Sequence, residues 1–275
     1  MDSLSPLLEQ THTTELVEVV RLRGQVIEKT DDTVAEETPI GIEYNGVPFV
    51  VMLGTPQDLE DFAIGFSLTE GIVKNVNQIQ SVTIEELDAG VRVAVTIDEK
   101  RFAILDGRRQ NLAGRTGCGL CGTERIAQVF KPMSEVTTPF TLSRAHLERA
   151  LEEMRHFQPL QQITGATHAA FWVNARGQIM LAREDVGRHN ALDKLFGAMA
   201  QQAYDFENGA VLVTSRASYE MVQKTIQMGV GILVAVSGPT ALAIRMAEEY
   251  QLTLMGFTRS HSQVIYTHPQ RVTEQ

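Results

Sequence analysis

The sequence predicts an α/β fold with a smaller β-rich region ahead of it, and three observations carry that prediction. Past residue 165, short apolar runs at 210–214, 232–236 and 252–257 alternate with helical patterns over 217–228 and 239–250, as parallel strands joined by crossover helices do. Nearer the start, apolar residues at 40–44 and 47–52 flank Asn45-Gly46, a pair suited to a tight hairpin because both positions accept positive φ. The 275 residues, 43% of them hydrophobic, suffice to bury a sizeable core in one large domain or two smaller ones.

The elements follow in order. Residues 1–14 are polar and read as a flexible N-terminus. The β-rich region spans 15–110, with a first strand from Leu16 marked by Val17, Val19, Val20 and Leu22. After the hairpin, Thr55-Pro56-Gln57-Asp58 has the form of a helix start: a capping hydroxyl, proline at the first helical position and an acid close behind. Leu59, Phe62 and Phe66 then share one helical face and Gly71 ends it. Further strands are expected near 79–85, 90–97 and 101–105. A mobile loop at 111–122 leads into the core over 123–275, where a helix starts at Thr123 and another, capped by Ser143, runs to Arg155. Residues 167–173 and 178–181 form a hairpin around Gly177, and a helix follows from about Arg188 to Gln201.

Composition excludes several classes. A net charge of −10 argues against a general nucleic-acid binder, which needs excess Lys and Arg to neutralise phosphates. The early residues carry Glu9, Glu15 and Glu18 and no signal-peptide run. The longest apolar stretch, 228–244, is interrupted by Gly229, Gly231, Ser237, Gly238 and Pro239, so no membrane span is expected. With no disulfide framework, a cytoplasmic setting fits.

The only two cysteines, Cys118 and Cys121, lie within Gly114-Arg115-Thr116-Gly117-Cys118-Gly119-Leu120-Cys121-Gly122. Arg108, Arg109 and Arg115 supply positive charge that favours thiolate, the reactive form. Three chemistries stay open for such a pair: a redox dithiol, a sulfur relay in which a thiolate accepts sulfur as a persulfide, and a catalytic zinc completed by His168 or His189. No histidine has the spacing of a structural zinc finger. In open α/β sheets ligands bind beyond the carboxyl ends of the strands, which nominates Ser215-Arg216-Ala217-Ser218, Ser237-Gly238-Pro239-Thr240 and Thr258-Arg259-Ser260-His261-Ser262 as anion-holding segments with hydroxyls, arginines or helix-start amides. The cluster Arg183-Glu184-Asp185-Val186-Gly187-Arg188-His189-Asn190 offers Asp185 as a helix cap and His189 as a proton-transfer group. It is equally readable as an ordinary capped helix start. No Gly-x-Ser-x-Gly elbow accompanies the serines at 215 and 218.

These segments together resemble the formate dehydrogenase accessory sulfurtransferase family, FdhD. The resemblance runs through Tyr44-Asn45-Gly46, the 61–71 segment from Asp61 to Gly71, the cysteine loop, Thr167-His168-Ala169-Ala170, Glu184 to Lys194, and Ser215 to Lys224. It implies a sulfurtransferase that takes sulfur from a cysteine desulfurase and passes it to the molybdenum cofactor in its bis(molybdopterin guanine dinucleotide) form, required by formate dehydrogenase. It implies Cys118 as the persulfide carrier, Cys121 as a secondary thiol, and Phe257, Thr258, Arg259, Ser260, His261 and Ser262 as the cofactor-binding stretch. Ser215, Arg216, Asp185 and His189 are the further binding candidates. It also implies a homodimer and a mixed-sheet core like that of cytidine deaminases. Gly117, not proline, precedes Cys118, so the zinc deaminase signature is broken and no zinc is expected.

Overall fold

The computed structural model describes residues 13–109 and 133–274. The cysteine loop, the helix expected from Thr123 and residues 1–12 lie outside the described residues. The chain starts with a hairpin of β1 (Thr14–Arg23) and β2 (Val26–Ala35), a sheet of two strands. The second strand was not legible in the sequence, because its middle, Glu28 to Thr33, is polar throughout; its register with β1 and a turn at Gly24, φ 60°, define it.

Next come β3 (Thr38–Tyr44) and β4 (Val47–Gly54), joined as expected at Asn45 and Gly46 with φ of 49° and 79°. The following helix, α1 (Leu59–Thr69), begins later than the sequence suggests. Thr55 and Pro56 form a turn instead of a cap. The Thr55 hydroxyl accepts from Val186 N–H (3.1 Å), and Asp58 precedes the helix in the left-handed region without a side-chain cap. Strands β5 (Ile79–Leu87) and β6 (Gly90–Ile97) complete a four-stranded sheet of order β4-β3-β6-β5.

The strand expected at 101–105 is a helix, α2 (Glu99–Arg109). Asp98 accounts for the difference: its carboxylate accepts from Lys100 N–H (2.9 Å) and its carbonyl from Phe102 N–H (2.9 Å), which starts a helical turn. The Arg101 guanidinium then fastens this helix to the end of α1, bonding the Gly71 and Ile72 carbonyls at 3.0 Å. The β-rich region thus carries two helices, not one.

The second half opens with β7 (Leu142–Ser143), α3 (Arg144–Glu153), capped as predicted by Ser143 (3.3 Å to His146 N–H), and the short α4 (Pro159–Thr164). Then come β8 (His168–Val173), β9 (Ile179–Asp185), α5 (Arg188–Gln201), β10 (Ala210–Val213), α6 (Tyr219–Gln227), β11 (Ile232–Ala235), α7 (Ala241–Glu249), β12 (Thr253–Arg259), β13 (Ser262–Thr267) and β14 (Val272–Thr273). Strands 8 to 13 form one mixed sheet of order β13-β12-β11-β10-β8-β9, in which β10, β11 and β12 are parallel and the rest antiparallel.

Strand alternation divides its residues between two cores. Val211, Val213, Leu233, Ala235 and Leu254 pack with α5, α6 and α7, while Leu212, Ile232, Val234 and Met255 pack with Leu147, Ala150 and Leu151 of α3. A third core joins α1 to the four-stranded sheet through Phe62, Phe66, Ile40, Val93 and Val95. Helix α1 also lies against α5 at backbone distance: a Cβ added at Gly65 would meet the Asp193 carbonyl oxygen at 1.7 Å, and one at Gly197 the Asp61 carbonyl oxygen at 1.8 Å. Among the described residues no helix is long and apolar enough to cross a membrane.

Candidate functional site

The carboxyl ends of β10, β11 and β12 lie along one edge of the six-stranded sheet, knitted by Ser237 N–H to Ser215 O (3.4 Å), Phe257 N–H to Ser237 O (3.2 Å) and Thr240 N–H to Ala217 O (3.1 Å). Because β8 runs antiparallel to β10, its first residue, His168, falls on the same edge, beside Thr214, whose hydroxyl accepts from Ala169 N–H (2.9 Å). The turn from β9 into α5 delivers Gly187, Arg188 and His189 there too. The structure therefore brings together most of the segments nominated from sequence, and their side chains fall into distinct roles.

Asp185 does not face the edge. Its carboxylate is fully buried and held by four donors: Lys194 Nζ at 2.7 Å, Thr55 N–H at 3.0 Å, Gly187 N–H at 2.7 Å and Asn190 Nδ2 at 3.0 Å. Its lone pairs are thus taken up inside the protein, although the sequence nominated it as a binding candidate. It ties the β4–α1 connection to the start of α5. Ser215 is also buried, donating to the Arg216 carbonyl (3.0 Å), whereas Arg216 is exposed.

His189 is held by Glu220: Nε2 lies 2.7 Å from Glu220 Oε2 and 3.4 Å from Ser218 Oγ. Both partners meet the same ring nitrogen, whereas a serine–histidine–acid relay places them on opposite ones. Covalent serine catalysis is thereby disfavoured on geometry.

The 257–262 stretch is a β-hairpin, not a helix start, because β12 runs on to Arg259 and pairs with β13. Phe257 bulges out with φ 49° and is 52% exposed, its ring against Gly238, where an added Cβ would sit 2.6 Å from it. Thr258 is 1% exposed and its hydroxyl has no hydrogen-bond partner among the described residues. Arg259, Ser260, His261 and Ser262 are exposed at the tip, with His261 Nδ1 3.9 Å from Glu148 Oε1.

A family model described as the FdhD/NarQ family matches residues 35–273. The chain belongs to that family. It is 51% identical over 262 residues to the sulfur carrier protein FdhD of Cupriavidus necator, covering 95% of this chain and 90% of that one. It is 49% identical to the sulfur carrier protein FdhD of Bordetella petrii, covering 92% of each. The fold matches the crystal structure of a candidate formate dehydrogenase accessory protein from Desulfotalea psychrophila, with a TM-score of 0.73 at 24% identity, over 95% of this chain and 100% of that one.

In this FdhD/NarQ chain the segments that carry the resemblance do more than line the edge. Asp61 to Gly71, Glu184 to Lys194 and Ser215 to Lys224 meet in the interior, where Lys224 Nζ bonds Asp193 (2.9 Å), Glu70 (3.1 Å) and Thr69 Oγ1 (2.9 Å). Arg183 likewise binds Asp61 (2.7 Å). A His-x-Glu triplet does occur, His146-Leu147-Glu148, so the zinc deaminase signature is broken only in its cysteine half. The triplet lies on α3, and Glu148 faces Arg144 (4.0 Å) and His261. Among the described residues no group of three or more His, Cys, Asp and Glu is arranged to hold a metal ion.

Sequence reasoning missed Glu220 as the partner of His189, and singled out neither Arg188 nor, beyond a zinc ligand, His168. Burial holds the His168 imidazole below the usual histidine range, helped by the Arg188 and His189 charges and opposed by Asp185. A base whose folded value is depressed stabilises the fold above pH about 6.5 and loses that contribution as pH falls through the folded value. In an NMR titration His168 is expected to protonate below pH about 6.5, and Arg188→Gln should move its midpoint upward. A midpoint unmoved by that substitution would separate the two side chains.

Proposed function

We propose that this protein is a cytoplasmic sulfurtransferase that accepts sulfur from a cysteine desulfurase on Cys118 and delivers it to the bis(molybdopterin guanine dinucleotide) cofactor used by formate dehydrogenase. One observation carries the reading: the chain is about half identical, nearly end to end, to proteins named as sulfur carriers, and its only thiols are Cys118 and Cys121. In the first step the Cys118 thiolate attacks the outer sulfur of the donor's persulfide. A new Sγ–S bond forms on Cys118, the donor's S–S bond breaks, and the donor leaves as a thiolate, with no net oxidation or reduction.

The acceptor is a substrate carrying phosphates and a guanine base, and the edge suits both. Phe257 offers an exposed ring for stacking. The Thr258 hydroxyl and Arg188 Nε, unpartnered among the described residues, offer free hydrogen bonds. The reading includes a homodimer with a cytidine deaminase-like core, and Cys121 as a secondary thiol.

Peptide mass mapping under non-reducing alkylation, after incubation with a cysteine desulfurase and cysteine, tests it. The expected result is one added sulfur on the Cys118 peptide, absent in Cys118→Ala and retained in Cys121→Ala. An unloaded Cys118 beside a loaded desulfurase would favour a cofactor-binding chaperone, and an internal Cys118–Cys121 bond alone would indicate dithiol exchange.

A further inference from the structure

Among the described residues, the cations that reach into the interior are matched to acceptors with one exception. Lys194 has Asp185, Lys224 has Asp193 and Glu70, Arg183 has Asp61, and Arg271 donates to the carbonyls of Gln251 and Val136. Arg188 breaks the pattern. The side chain is half-buried, and its Nε is sealed from solvent with no hydrogen-bond partner among the described residues, although burying a donor without a partner costs on the order of 1–3 kcal/mol.

Its setting is electropositive. Arg188 is the first residue of a 14-residue helix whose N-cap, Gly187, supplies no side-chain cap, and the first turn holds no acid, so the helix end adds partial positive charge. His168 lies beside it on the sheet edge. Asp185 and Glu220 are engaged elsewhere, Asp185 with Lys194 and Glu220 with His189.

We propose that Arg188, with His168 at its side, forms a seat for a phosphate group, and that it holds a phosphate of the guanine dinucleotide acceptor at the opposite end of the edge from Phe257. The identity of the ligand rests on the sulfur-transfer reading; the seat itself rests on the unpartnered Arg188 Nε. Arg188 follows β9, which lies four strand spacings from β12, about 19 Å at about 4.8 Å each. A ligand touching both Phe257 and Arg188 is therefore extended across the strand ends, as a dinucleotide is and a free phosphate is not.

Calorimetric titration of the full chain with inorganic pyrophosphate, GDP and guanosine tests the seat, with Cys118 sulfur loading measured in parallel on the wild type. Arg188→Gln is expected to weaken pyrophosphate and GDP binding about 10- to 100-fold, the range of a charge-assisted hydrogen bond. Arg188→Lys, which keeps the charge but loses the planar fork, should fall between. In wild-type protein the Arg188 Nε–H resonance should be protected from exchange and should shift on adding pyrophosphate. This reading stands even if Arg188→Gln does not fold.

Equal binding by wild type and Arg188→Gln, an Nε–H resonance blind to pyrophosphate, or guanosine binding as tightly as GDP would each overturn the seat. Wild type that loads Cys118 yet binds no pyrophosphate overturns the seat and leaves sulfur transfer standing. Arg188-dependent binding without Cys118 loading does the reverse.

Discussion

Asp185→Ala is expected to destabilise the fold by about 3–5 kcal/mol, the range for removing one member of a buried ion pair. Both Asp185 and Lys194 side chains are fully buried. With the carboxylate gone, Lys194 keeps, among the described residues, only the Thr55 carbonyl (2.9 Å) as an acceptor. The Thr55 and Gly187 amides lose theirs. The loss should appear as a lower urea midpoint at unchanged m-value. Replacing both partners with apolar residues, Asp185→Leu with Lys194→Met, should recover much of it, because no lone charge is then left inside. A normally stable Asp185→Ala that fails to bind GDP would instead restore Asp185 to the ligand site.

Asp193→Ala, in the neighbouring pair, should cost less, since Lys224 still faces Glu70 and Thr69. Burial pulls the Lys224 ammonium down, but Asp193 and Glu70 outweigh it and hold it above the usual lysine range. A raised base stabilises the fold below the unfolded value of about 10.4, and that contribution is lost as pH rises through the folded value. Burial also raises the phenols of Tyr44 and Tyr219, the latter to about 12. Their sign is the same, because the unfolded chain gives up those protons first. Melting temperature should therefore fall steeply above pH about 10, and less steeply in Lys224→Met.

The architecture of the second half was legible because its apolar runs are short, separated by capped helices and too regular to be read otherwise. The span of α5 and the Ser143 cap follow directly from residue pattern. The misreadings share a cause: the deciding interaction lies far along the chain. Thr55 looks like a cap until Val186 and Asp185, some 130 residues away, claim its hydroxyl and amide. Strand β2 is polar and exists through its pairing with β1. For the site, the sheet rule located the edge, but charge alone did not sort its residues. Asp185 and Arg188 sit three positions apart in one polar cluster, yet among the described residues one is fully paired and the other has a sealed Nε without a partner. Only packing distinguishes them.

Gly65→Ala and Gly197→Ala are each expected to destabilise by about 3 kcal/mol or more, at or beyond the usual cost of overpacking. The atoms in the way are the carbonyls of Asp193 and Asp61, which belong to helix backbones and cannot change rotamer. Relief requires α1 and α5 to move apart. That movement also lengthens the Thr69–Asp193 hydrogen bond, now 2.7 Å, and draws Glu70 and Asp193 away from a shared Lys224. The glycine and ion-pair effects should accordingly be non-additive: Gly65→Ala combined with Asp193→Ala should cost less than the sum of the two. Gly71 supplies the contrast, with φ 67° and open space around its missing Cβ. Gly71→Asn should cost only about 1 kcal/mol, since asparagine tolerates the left-handed region. Urea midpoints of these five variants, Asp193→Ala alone included, decide the matter. If Gly65→Ala were as mild as Gly71→Asn, the helices would be free to separate, and the close crossing would not be what sets the spacing of the buried charges.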